Sequence, residues 1–386
     1  MRPIVFEKDE TFWYETLRMF GHIAYGGADF GEVLVTAQRI VEGDYDSWHD
    51  EWRATADRVA AEAERSRGIS ARDGFLRASN YYRSAEFFLH GDPADARIAS
   101  AYERAVECFR KALPEVAPVE IPYEGTTLPG YYYDAGAGRT VVMHNGFDGS
   151  AEEMHFVAAA ALFERGFNVL AFDGPGQPGP MHRQGLVFRP DWENVVGPVL
   201  DFLQHDLRAG GPVGLLGNSL GGMLAPRAAA FEPRIKALVA LDGVYDMGAK
   251  ATEHFGGDRE LARSTLAGPE ADAVLERLMA TDPGVRWACT HGMWVTGAGS
   301  PREYTATLFD YHLRDGIAER ITCPTLVCAA QDDHFFRGQP EQLFERLTCD
   351  KTFLEFTEEE GGDAHCQAGA QRLAMSRIGT WLEEVL

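Results

Sequence analysis

Ser219, Asp333 and His365 are the residues whose types and spacing point to chemistry, and they run along the chain in the order nucleophile, acid, base. Ser219 is the centre of Gly217-Asn218-Ser219-Leu220-Gly221, directly after the apolar run at 213–216 and before a helix-compatible stretch. A G-x-S-x-G segment between strand and helix makes a sharp turn that lifts the hydroxyl out of the sheet, and its glycines let neighbouring backbone come close. The hydroxyl then lies beside a helix N-terminus, whose free N–H groups favour a developing oxyanion. A serine is a poor nucleophile at neutral pH, so it needs a histidine base and an acid that orients the ring. Asp333, in QDDHF, lies just beyond the apolar run at 325–330, where an acid can reach the top of a sheet; Asp332 is the competing choice. His365, in GGDAHC, follows the run at 351–356 and precedes a C-terminal helical stretch, which suits the base. Of the twelve histidines, His334 adjoins the acid too closely to bridge it to the serine, and His182 and His312 follow no strand.

A second apolar run, 140–143, opens into His144-Asn145-Gly146-Phe147-Asp148-Gly149. The loop after that strand supplies one oxyanion donor and the residue after the nucleophile the other. The backbone N–H groups of Phe147 and Leu220 are therefore the expected pair, with Gly146 keeping the loop close to the substrate oxygen. His144 in this loop, and Tyr245 and Asp246 just past the run at 237–241, are expected to face the pocket, against the alternative of a capped turn for the last two. Gly174-Pro175-Gly176-Gln177-Pro178-Gly179 matches G-x-G-x-x-G formally, but a dinucleotide site needs a helix whose N–H groups meet the pyrophosphate, and its prolines argue against that helix. A loop bordering the active site is the better reading. The six cysteines are scattered without a CxxC pair, so no metal, cofactor or redox motif is expected, and the thiols are expected to be reduced.

These residues need a sheet to hold them. RTVVMH, FNVLAFD, VGLLG, KALVALD, TLVCAA and TFLEF are short apolar runs alternating with helical stretches, the pattern of parallel strands covered by helices on both faces. VEIPYEGTTLPGYYYD reads as two further strands joined at Glu124-Gly125. Pro226 should kink or shorten the helix after Ser219. The fold class is α/β, a doubly wound, mostly parallel sheet over residues 116–386. Residues 1–115 read as an N-terminal helical domain, with Asp46 or Ser47 and then Asp73 as candidate caps of its aromatic-bearing helices. Between KALVALD and TLVCAA lies far more chain than a crossover needs, so residues 244–318 read as a helical cap insertion over the active site. Its Trp287, Trp294, Tyr304, Phe309 and Tyr311 are expected, as a set, to help bury a planar ligand.

The 36 basic against 59 acidic residues give a net charge of −23, which argues against nucleic acid or an anionic membrane as a partner. The first residues lack a secretion-signal pattern and no apolar run approaches the length of a membrane span, so the cytoplasm is the expected location. A small-molecule ketone or ester is the expected partner, with a homodimer as the protein association to test.

With the motifs placed, the chain resembles one group of α/β-hydrolases, that of 2,6-dihydroxypseudooxynicotine hydrolase and the fungal pigment hydrolases that shorten polyketide chains. The resemblance rests on GDYDSWHDEW and NYYRSAEFFL in the helical part and on HNGFDGS, FDGPGQ, GNSLGGMLAPRAAA, CPTLV and GGDAHC, nearly the whole length. It implies the α/β-hydrolase fold and hydrolysis of a carbon–carbon bond next to a ketone in an aromatic or polyketide-derived molecule. The alternatives carried beside it are a carboxylester or thioester hydrolase, and a hydrolase-like protein that binds or cyclises a ligand without hydrolysis. The proline inserted after FDGPGQ departs from the group and bears on substrate preference.

Overall fold

The helical periodicity of the first third folds as α1 (Glu10–His22), α2 (Phe30–Ala37), α3 (Tyr45–Arg65), α4 (Ile69–Glu86) and α5 (Ala96–Ala112). Four of them start after an aspartate, Asp9, Asp29, Asp44 and Asp95, whose carboxylate accepts from first-turn N–H groups. The caps expected at Asp46 or Ser47 and at Asp73 lie inside helices instead. Helix α3 reaches back to Tyr45, whose ring stacks on Phe88 at 4.8 Å, and Asp44 caps it while Asp46 pairs with Arg97. Helix α4 starts after Gly68, which takes a positive φ of 57°. The aromatic faces are core: Trp48, Trp52, Tyr81 and Tyr82 are fully buried, and Trp48 Nε1 donates to Ser84 O at 2.8 Å.

This computed structural model describes residues 1–386 apart from the side chain of His254. After the helices, β1 (Ala117–Tyr123) and β2 (Thr126–Tyr133) form a hairpin whose two turn residues, Glu124 and Gly125, take φ of 42° and 83°. Positive φ at both positions matches the right-handed twist of the flanking strands. The remaining strands are β3 (Thr140–His144), β4 (Asn168–Phe172), β5 (Val213–Asn218), β6 (Ile235–Leu241), β7 (Thr325–Ala330) and β8 (Lys351–Phe356). They complete an eight-stranded sheet in the order β1-β2-β4-β3-β5-β6-β7-β8, parallel from β4 to β8. Every residue of β3, β4, β5 and β7 is buried, because helices cover both faces. Those helices include α6 (Ala160–Glu164), α7 (Pro178–Gln184), α8 (Glu193–His205) and α9 (Gly221–Ala229). The chain between β6 and β7 forms α10 (Ala249–His254), α11 (Arg259–Leu266), α12 (Glu270–Thr281), α13 (Pro283–Thr296) and α14 (Pro301–Thr307), and α15 (Gln339–Arg346) and α16 (Gln371–Val385) follow.

Strand β3 lies between β4 and β5, so the strand order reverses there and the loops leaving β3 and β5 open side by side, with His144 level with Gly217. In open α/β sheets that crevice is where ligands bind. Pro226 lies inside α9 without breaking it, since the Gly222 carbonyl that its missing N–H would have used accepts from Val244 N at 3.2 Å. One face of the sheet shares a core with the first helices, joining Phe12, Trp48 and Trp52 to Val141, Met143 and Leu216. Helix α13 of the insertion meets α4 where Trp287 stacks on Phe87, centroids 5.2 Å apart. Among the described residues no helix is long and apolar enough to cross a membrane.

Candidate active site

The turn after β5 holds Ser219 in the left-handed region, φ 60°, a conformation that costs a non-glycine residue energy and is held by its surroundings. Ser219 N donates to Leu241 O at 2.5 Å and Ser219 O accepts from Gly222 N at 2.7 Å. A Cβ on Gly217 would fall 2.0 Å from Gly221 O, so the tight turn requires glycine there. Among the described residues the N–H of Leu220, at the start of α9, and that of Phe147 donate no hydrogen bond.

Ser219 Oγ donates to His365 Nε2 at 2.8 Å, and His365 Nδ1 donates to Asp333 Oδ2 at 2.8 Å. The other Asp333 oxygen accepts from Phe335 N and Phe336 N at 2.8 and 3.0 Å, so the short turn after β7 aims the carboxylate. Burial pushes the Asp333 carboxyl up, yet the adjacent imidazole and those N–H groups outweigh it and hold it below the usual range. For His365 burial opposes the charged ring, but Asp333 and Cys366 win and raise it well above the usual 6.5. Asp332, the competing acid, points outward and pairs with Arg337 at 2.6 Å on the surface. Tyr14 of α1 donates to His365 O at 3.2 Å, a contact that sequence patterning did not suggest.

The loop after β3 is pinned from several sides. Asn145 Oδ1 accepts from Gly146 N at 2.8 Å and from Asn218 Nδ2 at 2.9 Å, tying it to the elbow. Gln177 Nε2 donates to Asn145 O at 2.5 Å and Gly146 O at 3.2 Å. A Cβ on Gly146 would sit 2.6 Å from Leu220 N, so only glycine brings the loop this close. From the helices, Arg18 and Arg83 reach Asp148 at 2.8 and 3.2 Å, and Glu15 and Glu153 complete the buried ion network. Burial raises the Asp148 carboxyl but the two guanidiniums pull it down to about 2. From α13, His291 Nε2 donates to Phe147 O at 2.9 Å, its Nδ1 meets His90 Nδ1 at 2.7 Å, and His90 Nε2 meets Glu86 at 3.0 Å. Burial lowers both histidines to about 3 and raises Glu86. With His291 donating to Phe147 O from Nε2, its Nδ1 accepts from His90 Nδ1, so the line of contacts runs from Glu86 to the Phe147 carbonyl.

The expected substrate contacts divide. Trp287 and Tyr304 pack on Phe147 at 6.0 and 6.2 Å, and Phe335 spans from Trp287 to His365, so these rings form one aromatic cluster that reaches the His365 ring. Trp294 is set back, stacked on His90 at 4.3 Å. The expectation for His144 does not hold: it is fully buried behind the loop, donating from Nδ1 to Asn145 O at 2.9 Å and accepting from Trp192 Nε1 at 3.2 Å. Tyr245 and Asp246 also turn away. Tyr245 lines a surface cavity with Arg314, Gln342 and Arg346, while Asp246 is bound by Arg259 and Arg314. Phe309 lies under Arg259 rather than over the serine.

The G-x-G-x-x-G segment does enter a helix, contrary to the sequence expectation. Pro178 and Pro180 are tolerated in its first turn, where their missing N–H groups cost nothing, and Gly179 N is committed to Asp173 Oδ2 at 3.0 Å. As to metals, the ligand atoms of Asp242, His365 and Cys366 gather within 4.8 Å among the described residues, but both His365 ring nitrogens already serve Ser219 and Asp333.

Comparison with known proteins gives the family of the chain. Residues 141–374 match the model of the Alpha/beta hydrolase family. The chain is 35% identical to hydrolase LUC6 of Fusarium sp over 97% of this chain and 96% of that protein. It is 34% identical to the 20-hydroxy-prefusarin hydrolase FUS2 of Gibberella moniliformis over 98% and 97% of the two chains. Among solved structures, 2,6-dihydroxy-pseudo-oxynicotine hydrolase superposes with a TM-score of 0.72 at 23% identity, covering 95% of each chain.

Proposed function

Because this chain belongs to the alpha/beta hydrolase family, we propose that it is a serine-dependent enzyme that hydrolyses a carbon–carbon bond next to a ketone in a small aromatic or polyketide-derived substrate. The observation that carries the reading is the unbroken hydrogen-bonded line from Asp333 through His365 to Ser219, at 2.8 Å per step. The free N–H groups of Phe147 and Leu220 beside the serine support an oxyanion hole. Ser219 Oγ attacks the ketone carbon as its proton passes to His365 Nε2, and the carbonyl oxygen becomes an oxyanion held by the two N–H groups. Collapse of that adduct breaks the carbon–carbon bond. The electron pair leaves on the departing carbon, which an adjacent carbonyl or aromatic ring stabilises, and the imidazolium returns its proton there. Water, activated by the same imidazole, then releases the acyl group from Ser219, so one water is consumed and an acid and a shortened partner are formed.

The aromatic cluster of Phe147, Trp287, Tyr304 and Phe335 supports a flat substrate, and a relative named for 20-hydroxy-prefusarin supports a small molecule. The six free cysteines support a reducing, cytoplasmic setting. Mass-spectrometric product analysis with a panel of β-diketones and matched esters tests the reading. The expected result is acid and ketone fragments from a diketone, abolished by Ser219→Ala. Turnover of esters alone would replace carbon–carbon cleavage with ester hydrolysis.

A further inference from the structure

The mechanism above uses one carboxylate, yet two are buried against the same imidazole nitrogen. Asp242 follows the last residue of β6, and Asp333 follows β7, the neighbouring strand, so both turns open at one end of the sheet. Asp242 is fully buried, with Oδ2 3.6 Å from His365 Nδ1, against 2.8 Å for Asp333. Its Oδ2 also accepts from Cys366 N at 2.8 Å, and its Oδ1 from Gln367 Nε2 at 2.7 Å. Both Asp242 donors belong to the two residues after His365, so the carboxylate is aimed at the base by the segment that carries it.

We propose that Asp242 is a second positioning carboxylate for His365, sharing the stabilisation of its imidazolium and able to accept the Nδ1 proton when Asp333 is neutralised. The inference rests on the reading of His365 as base and deepens it. In ester cleavage an oxygen leaving group takes the proton at once, whereas a carbon leaving group is protonated slowly, so the imidazolium must persist longer. A second buried carboxylate favours that charged state. Burial, with Asp333 alongside, lifts the Asp242 carboxyl to about 7. Removing the charge at Asp333 removes part of that push and leaves Asp242 readier to ionise beside the ring. The competing explanation is structural: Asp242 holds the left-handed turn at Cys366 and Gln367, φ 53° and 52°.

A double-mutant cycle separates them, using the full chain, a β-diketone that it cleaves, and thermal unfolding to confirm that each variant folds. Without a substitute carboxylate, loss of the triad acid costs on the order of 10⁴-fold. Here Asp333→Asn should lose only about 10–100-fold, Asp242→Asn about 10-fold or less, and the double variant about 10⁴-fold or more, well beyond their product. In proton NMR, the low-field Nδ1–H resonance of His365 should survive in Asp333→Asn and vanish in the double variant. A double variant matching the product of the singles, or Asp333→Asn already down by about 10⁴-fold, overturns the proposal. If Asp242→Asn does not fold, the residual rate and low-field proton of Asp333→Asn decide alone. Turnover that persists in Ser219→Ala would instead refute the nucleophile, a separate failure from that of the cycle.

Discussion

A single hydroxyl separates an active chain from an inert one under the proposed chemistry. Ser219→Ala removes only the attacking oxygen, so kcat should fall on the order of 10⁴-fold or more while ligand binding, followed by tryptophan fluorescence, persists. Asp332→Asn is the matching control: its ion pair with Arg337 is exposed, and such pairs are worth less than about 1 kcal/mol, so kcat/KM should hold. The pH profile reads His365. Neutral imidazole is the form that accepts the serine proton, and a raised pKa means that this form is lost earlier as pH falls. The acid limb of kcat/KM should therefore lie above the usual 6.5, and a limb at or below that value would contradict the burial and charge balance around the ring. That Ser219, Asp333 and His365 meet at one end of the sheet was legible in the sequence because each follows a recognisable apolar run. Asp242 was not, since the donors that aim it lie at 366 and 367, far along the chain. His144, Tyr245 and Asp246 show the same limit: position at a strand end fixes which edge of the sheet a residue occupies, and packing decides whether it faces inward.

At the scale of turns and helices, the geometry of the proposed site depends on how closely two loops approach. A methyl at Gly146 would meet Leu220 N at 2.6 Å and Asn218 O at 2.7 Å and would force the β3 loop off the elbow. Gly146→Ala should lower kcat by about 10²–10³-fold, the cost of an oxyanion donor, with near-native circular dichroism. The ion network behind that loop is the second support. Arg83→Met leaves Glu15, Asp148 and Glu153 to share Arg18, and losing one partner of a buried pair costs roughly 3 kcal/mol or more, so the denaturant midpoint should drop together with kcat. The strands could be read because burial on both faces leaves unbroken apolar runs. The helix starts were harder: several polar residues near 44–47 can each cap, and the packing of Tyr45 selects Asp44. The ion network could not be derived from spacing, although Arg83 and Asp148 both fall within the stretches NYYRSAEFFL and HNGFDGS.

For the whole molecule, the first helices and the sheet share one apolar core, and α1 touches the backbone of His365 through Tyr14. Deleting residues 1–113 should strip the cover from Val141, Met143 and Leu216, giving an aggregating chain without turnover in size-exclusion chromatography and activity assays. A truncated chain that stayed monodisperse and equally selective would show the helices to be an appendage. The charge arrangement across that junction also limits how such enzymes can be recombined. Arg18 and Arg83 come from one side and Asp148 and Glu153 from the other, so a chimera joining the helical half of one relative to the hydrolase half of another works only if the donor and recipient charges match at the seam. Mismatched halves would bury like charges next to the loop that carries Phe147, and a library of such fusions should sort into active and inactive members by those four positions before any difference in substrate pocket is felt.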